Sequence, residues 1–177
     1  MNNSNIPDKI YNIFNSQTIE EAISKVDNEV KKADMKKGLE MENTLKPLFE
    51  TKFGFLNKTH HYHSFDFENE NVLIELKTRN VDWLRYDSLM FSMKKIEYLR
   101  NNNITKDAYI FWKLNNGLYY WKYNETELEV MNGGRNDRGR NEYEKCVYIK
   151  NEYIKNYNDL PFLPFQYDES SKHDDEH

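Results

Sequence analysis

The stretch from His63 to Arg79, which reads H-S-F-D-F-E-N-E-N-V-L-I-E-L-K-T-R, constrains the fold more than any other part of the chain. Two alternating runs, Tyr62 to Glu68 and Val72 to Arg79, flank the turn-forming Asn69, Glu70 and Asn71, a pattern that predicts a β-hairpin. A turn centred on Glu70 and Asn71 makes Asp66 the direct partner of Glu75. Alternation then sets Phe65, Phe67, Val72, Ile74 and Leu76 on one side. Ser64, Asp66, Glu68, Leu73, Glu75 and Lys77 fall on the other. One face is apolar, while the other gathers carboxylates around a lysine.

Directly opposed Cβ atoms lie about 5 Å apart. At that spacing two carboxylates can share one hard cation, and without a counter-charge they cannot both ionise comfortably. Glu75 and Lys77 point to the same side with roughly 7 Å between their Cα atoms, which sets an ammonium beside such a cation. A hairpin with one solvated face and ordinary cross-strand ion pairs would use the same residue types. Asp66, followed after a short gap by Glu75-Leu76-Lys77, resembles the D…(D/E)-x-K signature of the PD-(D/E)XK nuclease superfamily. Phe65 stands where the name-giving proline would be.

A second part of the resemblance lies upstream. From Gly38 the apolar residues Leu39, Met41, Leu45, Leu48, Phe49 and Phe53 recur at broadly helical spacing, and Gly54 supplies a C-terminal stop. Pro47 should kink that helix or open a second one. Lys36, Lys37, Gly38 and Glu42 together resemble the opening helix of Holliday-junction-resolvase-like members of the superfamily. Glu42 precedes Leu45 and Phe49 by three and seven residues and shares their face; Glu40 and Glu50 fit it less well.

The resemblance covers about half of the chain and implies an α/β fold, a restriction-endonuclease-like αβββαβ core with a mixed central sheet laid on residues 36 to 124 and additional C-terminal strands. It implies metal-assisted hydrolysis of a nucleic-acid phosphodiester, with Mg²⁺ or Mn²⁺ as cofactor and DNA a better-suited substrate than RNA. Asp66, Glu75, the Leu76 carbonyl and Glu42 would hold the metal. Lys77 would position or help deprotonate the attacking water. The rival reading is a catalytically inactive module of the same fold that binds nucleic acid or a protein partner.

The remaining elements follow from periodicity. Thr18 and Glu21 form a capping box ahead of Ile19, Ala22, Ile23, Val26 and Val30, predicting a helix from about Thr18 to Lys32. Phe55 to Tyr62 should supply a strand; His60 and His61 within it and His63 beyond it lack the further ligands of a closed zinc site. Leu89, Met90, Met93, Ile96 and Leu99 predict a helix from about Asp87 to Arg100, in which Lys94 and Lys95 could meet a phosphate backbone. Some superfamily members carry a glutamine four residues before a tyrosine here, and Lys94 and Tyr98 keep that spacing.

Ala108 to Leu114 and Leu118 to Tyr123, joined by Asn115-Asn116-Gly117, predict a second hairpin. Its many aromatics suit a core more than a base-stacking platform. Asn132 to Asn141, N-G-G-R-N-D-R-G-R-N, predicts a loop in which Arg135, Arg138 and Arg140 suit a clamp on phosphates. A last strand is expected from about Lys145 to Lys150.

Composition bounds the rest. A chain of 177 residues suits one domain, taken here as residues 1–166, with 167–177 an acidic disordered tail. A net charge of −5 means that nucleic-acid contact must come from local patches. Cys146 is the only cysteine, which excludes an intramolecular disulfide. No run approaches the roughly 18 apolar residues of a membrane span, so the expectation is a soluble, intracellular protein, cytoplasmic or nuclear, with no membrane partner. A homodimer is left open.

Overall fold

The computed structural model describes residues 23–60, 63–134 and 144–162. The first long element is helix α1, Glu29–Phe53, capped by the Asn28 side chain, which accepts from the Lys31 N–H at 2.9 Å. Residues 18–22 of the predicted Thr18–Lys32 helix lie outside the described residues, and over the rest the cap corrects it. An Asn with extended backbone separates the turn that ends near Ser24 from α1, and Val30 is exposed rather than buried. Pro47 sits inside α1 without dividing it.

Strand β1 (Asn57–Lys58) pairs antiparallel with β2 (Phe67–Glu68), and β2 with β3 (Val72–Thr78). The register pairs Phe67 with Ile74 and Glu68 with Leu73, as the turn at Glu70 and Asn71 requires. Asn69 fixes that turn: its Oδ1 accepts from the Asn71 and Val72 N–H groups, and its Nδ2 donates to the Phe53 carbonyl at the end of α1. Among the described residues of the expected Phe55–Tyr62 strand, Asn57 and Lys58 enter the sheet, and residues 61 and 62 lie outside the described residues.

After β3 the chain leaves for strand β4 (Ser88–Ser92) and helix α2 (Lys94–Asn101). It returns as β5 (Asp107–Leu114), parallel to β3, and turns through Asn115 and Asn116 into β6 (Gly117–Lys122). Strands β7 (Glu129–Gly133), β8 (Glu144–Lys150) and β9 (Lys155–Asn156) follow. The main sheet has the order β1-β2-β3-β5-β6-β9; a second sheet has the order β4-β8-β7. With β4 set aside, α1 to β5 runs αβββαβ, the expected core.

The predicted Asp87–Arg100 helix is half strand. Leu89 and Phe91 are buried between half-buried Ser88, Met90 and Ser92, a period of two, and β8 supplies their backbone partners. The buried positions Leu89, Met93, Ile96 and Leu99 also fit a helical period, so spacing alone could not separate the two.

Both faces of the main sheet are covered. On one, α1 packs Phe49 and Phe53 against Phe67, Val72, Ile74, Leu76 and Phe111. On the other, Leu73, Ile110, Trp112 and Trp121 meet Phe91, Ile96, Val147 and Ile149 from β4, α2 and β8. The hairpin therefore has no solvated face, and residues Val72 to Leu76 are all buried. Phe65 joins Leu73 rather than Phe67. It lies outside the ladder, where the backbone is held by side chains: Thr59 Oγ1 donates to its carbonyl and His63 Nδ1 meets its N–H. Tyr109, Phe111, Trp112, Tyr119, Tyr120 and Trp121 are all buried, so the aromatic hairpin is core.

Candidate active site

Glu75 is the one charged side chain fully buried among the described residues, 1% exposed in the middle of β3. An isolated carboxylate could not be carried there at neutral pH; it must be paired or neutralised. Lys77, two residues along the strand, bonds its Oε1, and Lys95 from the first turn of α2 stands 2.9 Å from Oε2. Burial pushes the Glu75 carboxyl up, but the two ammoniums outweigh it and hold the group below the ordinary carboxylate range. Lys77 gains in return: burial lowers its pKa, Glu75 and then Asp66 raise it further, and the net shift is upward.

Asp66 lies one residue beyond the β2–β3 ladder. Its N–H donates to the Ile74 carbonyl at 2.9 Å, and its Oδ2 accepts from the Leu76 N–H at 2.7 Å. The side chain thus takes a place that a neighbouring backbone carbonyl would occupy in an unbroken ladder. N–H and C=O of one strand residue point to the same edge, so the Leu76 carbonyl faces the side on which Asp66 stands. Burial first, then the negative charges of Glu75 and Glu42, push the Asp66 carboxyl well above its usual range; Lys77 and the Leu76 N–H offset only part of this.

Glu42 comes from α1 and pairs with Lys58 of β1 at 2.9 Å. With Asp66, Glu75, Leu76, Lys77 and Lys95 it lines a cleft of about 1190 Å³. Gly38 lines the same cleft one turn earlier, and a Cβ placed there would meet nothing within 4 Å. Trp112, the register partner of Lys77 on β5, is fully buried, and no protein group bonds its Nε1. The Thr78 hydroxyl is likewise buried without a protein partner, and both residues line the cleft.

The profile of a family described as "Phage putative PDDEXK endonuclease" matches residues 24–157, three quarters of the chain. The chain belongs to this PD-(D/E)XK endonuclease family. Among solved structures it is similar to Hjc, a Holliday junction resolvase from the archaeal hyperthermophile Archaeoglobus fulgidus. The two share 18% identity and a TM-score of 0.43 over 72% of this chain and 99% of that one. No curated protein sequence matches it.

In this member of the PD-(D/E)XK endonuclease family the residues singled out from sequence are distributed as follows. Asp66, Glu75, Leu76, Lys77 and Glu42 line the cleft together. Lys94 pairs with Glu144 at 3.1 Å on the surface. Lys95 turns inward, bonds the Ser64 carbonyl and joins Glu75. Arg135, Arg138 and Arg140 lie outside the described residues.

The sequence reading missed Lys58 as the partner of Glu42, Lys95 as a partner of Glu75, and Trp112. It named Tyr98 only for its spacing from Lys94 and missed its contact with His63, where the hydroxyl meets Nε2 at 3.0 Å and holds the segment that carries Asp66. One signal was available for Lys95: a lysine in the first turn of a helix opposes the helix dipole and needs a local reason.

Among the described residues, no three His, Cys, Asp or Glu side chains form a ready-made metal cage. The donor set nevertheless suits a hard cation. It consists of oxygens, and Asp66 is left with uncompensated negative charge from two neighbouring acids. Mg²⁺ is held by one or two carboxylates and keeps several waters, so a full protein cage is not required.

Proposed function

We propose that this PD-(D/E)XK endonuclease hydrolyses phosphodiester bonds in DNA with the help of Mg²⁺ or Mn²⁺. The observation that carries the reading is the meeting of Asp66, Glu75 and Lys77 at one wall of an open cleft, where burial and like charge leave Asp66 in need of a cation. Asp66, Glu75, Glu42 and the Leu76 carbonyl would hold the metal, which supplies charge for the phosphate and lowers the pKa of bound water.

Lys77 is an ammonium at neutral pH, since its acid neighbours raise its pKa. As an ammonium it donates hydrogen bonds to the attacking water and to a phosphate oxygen. Water oxygen bonds to phosphorus, the ester P–O bond breaks, and the departing oxygen takes up a proton. Glu75 holds Lys77 in place through Oε1. The Leu76 N–H fixes the Asp66 carboxylate.

The test is cleavage of linear, nicked, branched and single-stranded DNA, and of RNA, with Mg²⁺ or Mn²⁺, beside a Lys77→Ala variant. Loss of a positioned donor of this kind removes about 10² to 10⁴ in rate. The variant should stay folded and bind DNA while losing cleavage. Retained cleavage would refute the assignment of Lys77, and EDTA-insensitive binding without turnover would favour a recognition module.

A further inference from the structure

We propose that Lys95 serves as a fixed cation in the site, so that the chain takes up one divalent ion rather than two. The proposal rests on the metal-dependent reading above. Lys95 spans two oxygens that would otherwise suit a second metal: Glu75 Oε2, at 2.9 Å, and the Ser64 carbonyl. Its side chain is 16% exposed, so the ammonium is committed to these partners rather than to solvent.

The placement opposes local helix electrostatics. α2 opens with Lys94 and Lys95, has no side-chain cap, and brings two positive charges to its positive end against the single acid Glu97. Lys94 finds Glu144 on the surface, while Lys95 is aimed at the one fully buried carboxylate among the described residues. A residue that breaks a local rule and is held by buried partners marks a functional demand.

The charges divide in two. Lys77 bonds Glu75 Oε1 and the Lys95 ammonium stands 2.9 Å from Oε2, so each oxygen of Glu75 faces a lysine. Glu42 faces Lys58 at 2.9 Å, and Asp66 Oδ2 takes the Leu76 N–H at 2.7 Å. The outer side of Glu75 is thus taken up by an amine, and the place left for a metal lies beside the Asp66 carboxylate and the Leu76 carbonyl. One ion fills it.

The experiment counts Mn²⁺ ions bound per full-length chain by equilibrium dialysis and by the electron paramagnetic resonance signal of free Mn²⁺, without nucleic acid. Wild type should bind one. Lys95→Met and Lys95→Gln, each checked for folding by circular dichroism, should bind two, because Glu75 Oε2 and the Ser64 carbonyl become available, and Lys95→Arg should return the count to one. Two ions on wild type, or one ion on the Met and Gln variants, would overturn the proposal and leave Lys95 a structural counter-charge. Failure of both variants to fold would do the same. No bound ion on wild type would refute the metal-dependent reading itself, a result distinct from either.

Discussion

Replacing Asp66 by Asn should stabilise the metal-free protein at neutral pH while removing its response to metal. The Asn side-chain oxygen can keep the bond from the Leu76 N–H, so the change removes charge and little else. Two carboxylates about 6 Å apart at an effective dielectric of about 20 repel by about 3 kcal/mol. Lys77 returns part of that. A net gain of about 1 to 2 kcal/mol follows, which in a chain of this size raises Tm by about 2 to 8 °C.

The sign with pH is fixed by the direction of the shift. A carboxyl raised in the folded state binds its proton more tightly folded than unfolded, so wild type loses stability as pH rises through the unfolded value of about 3.9 and on to the raised folded one. Below about pH 4 the two proteins should melt together, and the gap should open above it. Saturating Mg²⁺ should then raise the wild-type Tm and leave the Asn variant unmoved. Thermal melts between pH 3.5 and 8, with and without Mg²⁺, measure all of this. A variant less stable than wild type at pH 7, or a difference independent of pH, would refute the charge argument.

Two further outcomes follow. Phe49→Ala should cost about 3 to 5 kcal/mol, read by denaturant unfolding, because the ring is fully buried against Phe67, Phe111 and Tyr157. Replacing Arg135, Arg138 and Arg140 together by Ala should weaken DNA binding and lower the salt slope of log K by up to about 3; an unaltered slope would show that these arginines do not touch phosphate.

The sequence was most legible where turn chemistry and alternation agreed. Asn69 to Asn71 set the register of β2 on β3, and Asn115 to Gly117 that of β5 on β6, because few backbones suit those turns. Asp66, Glu75 and Lys77 line one cleft, although Asp66 lies one residue beyond the ladder and bonds Ile74 and Leu76 rather than standing in register with Glu75. Legibility failed where the partner was distant. Ser88 to Ser92 is a strand because β8, more than fifty residues later, lies beside it. Lys95 belongs to the acid cluster because that pairing swings the start of α2 toward Glu75. Phe65 left its expected face because alternation holds only inside a ladder, and Thr59 and His63 hold the backbone there instead.

The link between α2 and β8 reaches into biosynthesis. Met93 bonds the Lys145 carbonyl, Asn151 bonds the Asp87 carbonyl, and Lys94 reaches Glu144, so both ends of β4 are moored to a strand made more than fifty residues later. Asp66, Glu75, Lys77, Glu42 and Lys95 lie between residues 42 and 95, yet the strand that pairs with β4, immediately before Lys95, runs only from Glu144 to Lys150. A nascent chain that has not yet made β8 therefore lacks the strand partner of β4, and the order of synthesis puts the seating of Lys95 after the hairpin that carries Asp66, Glu75 and Lys77.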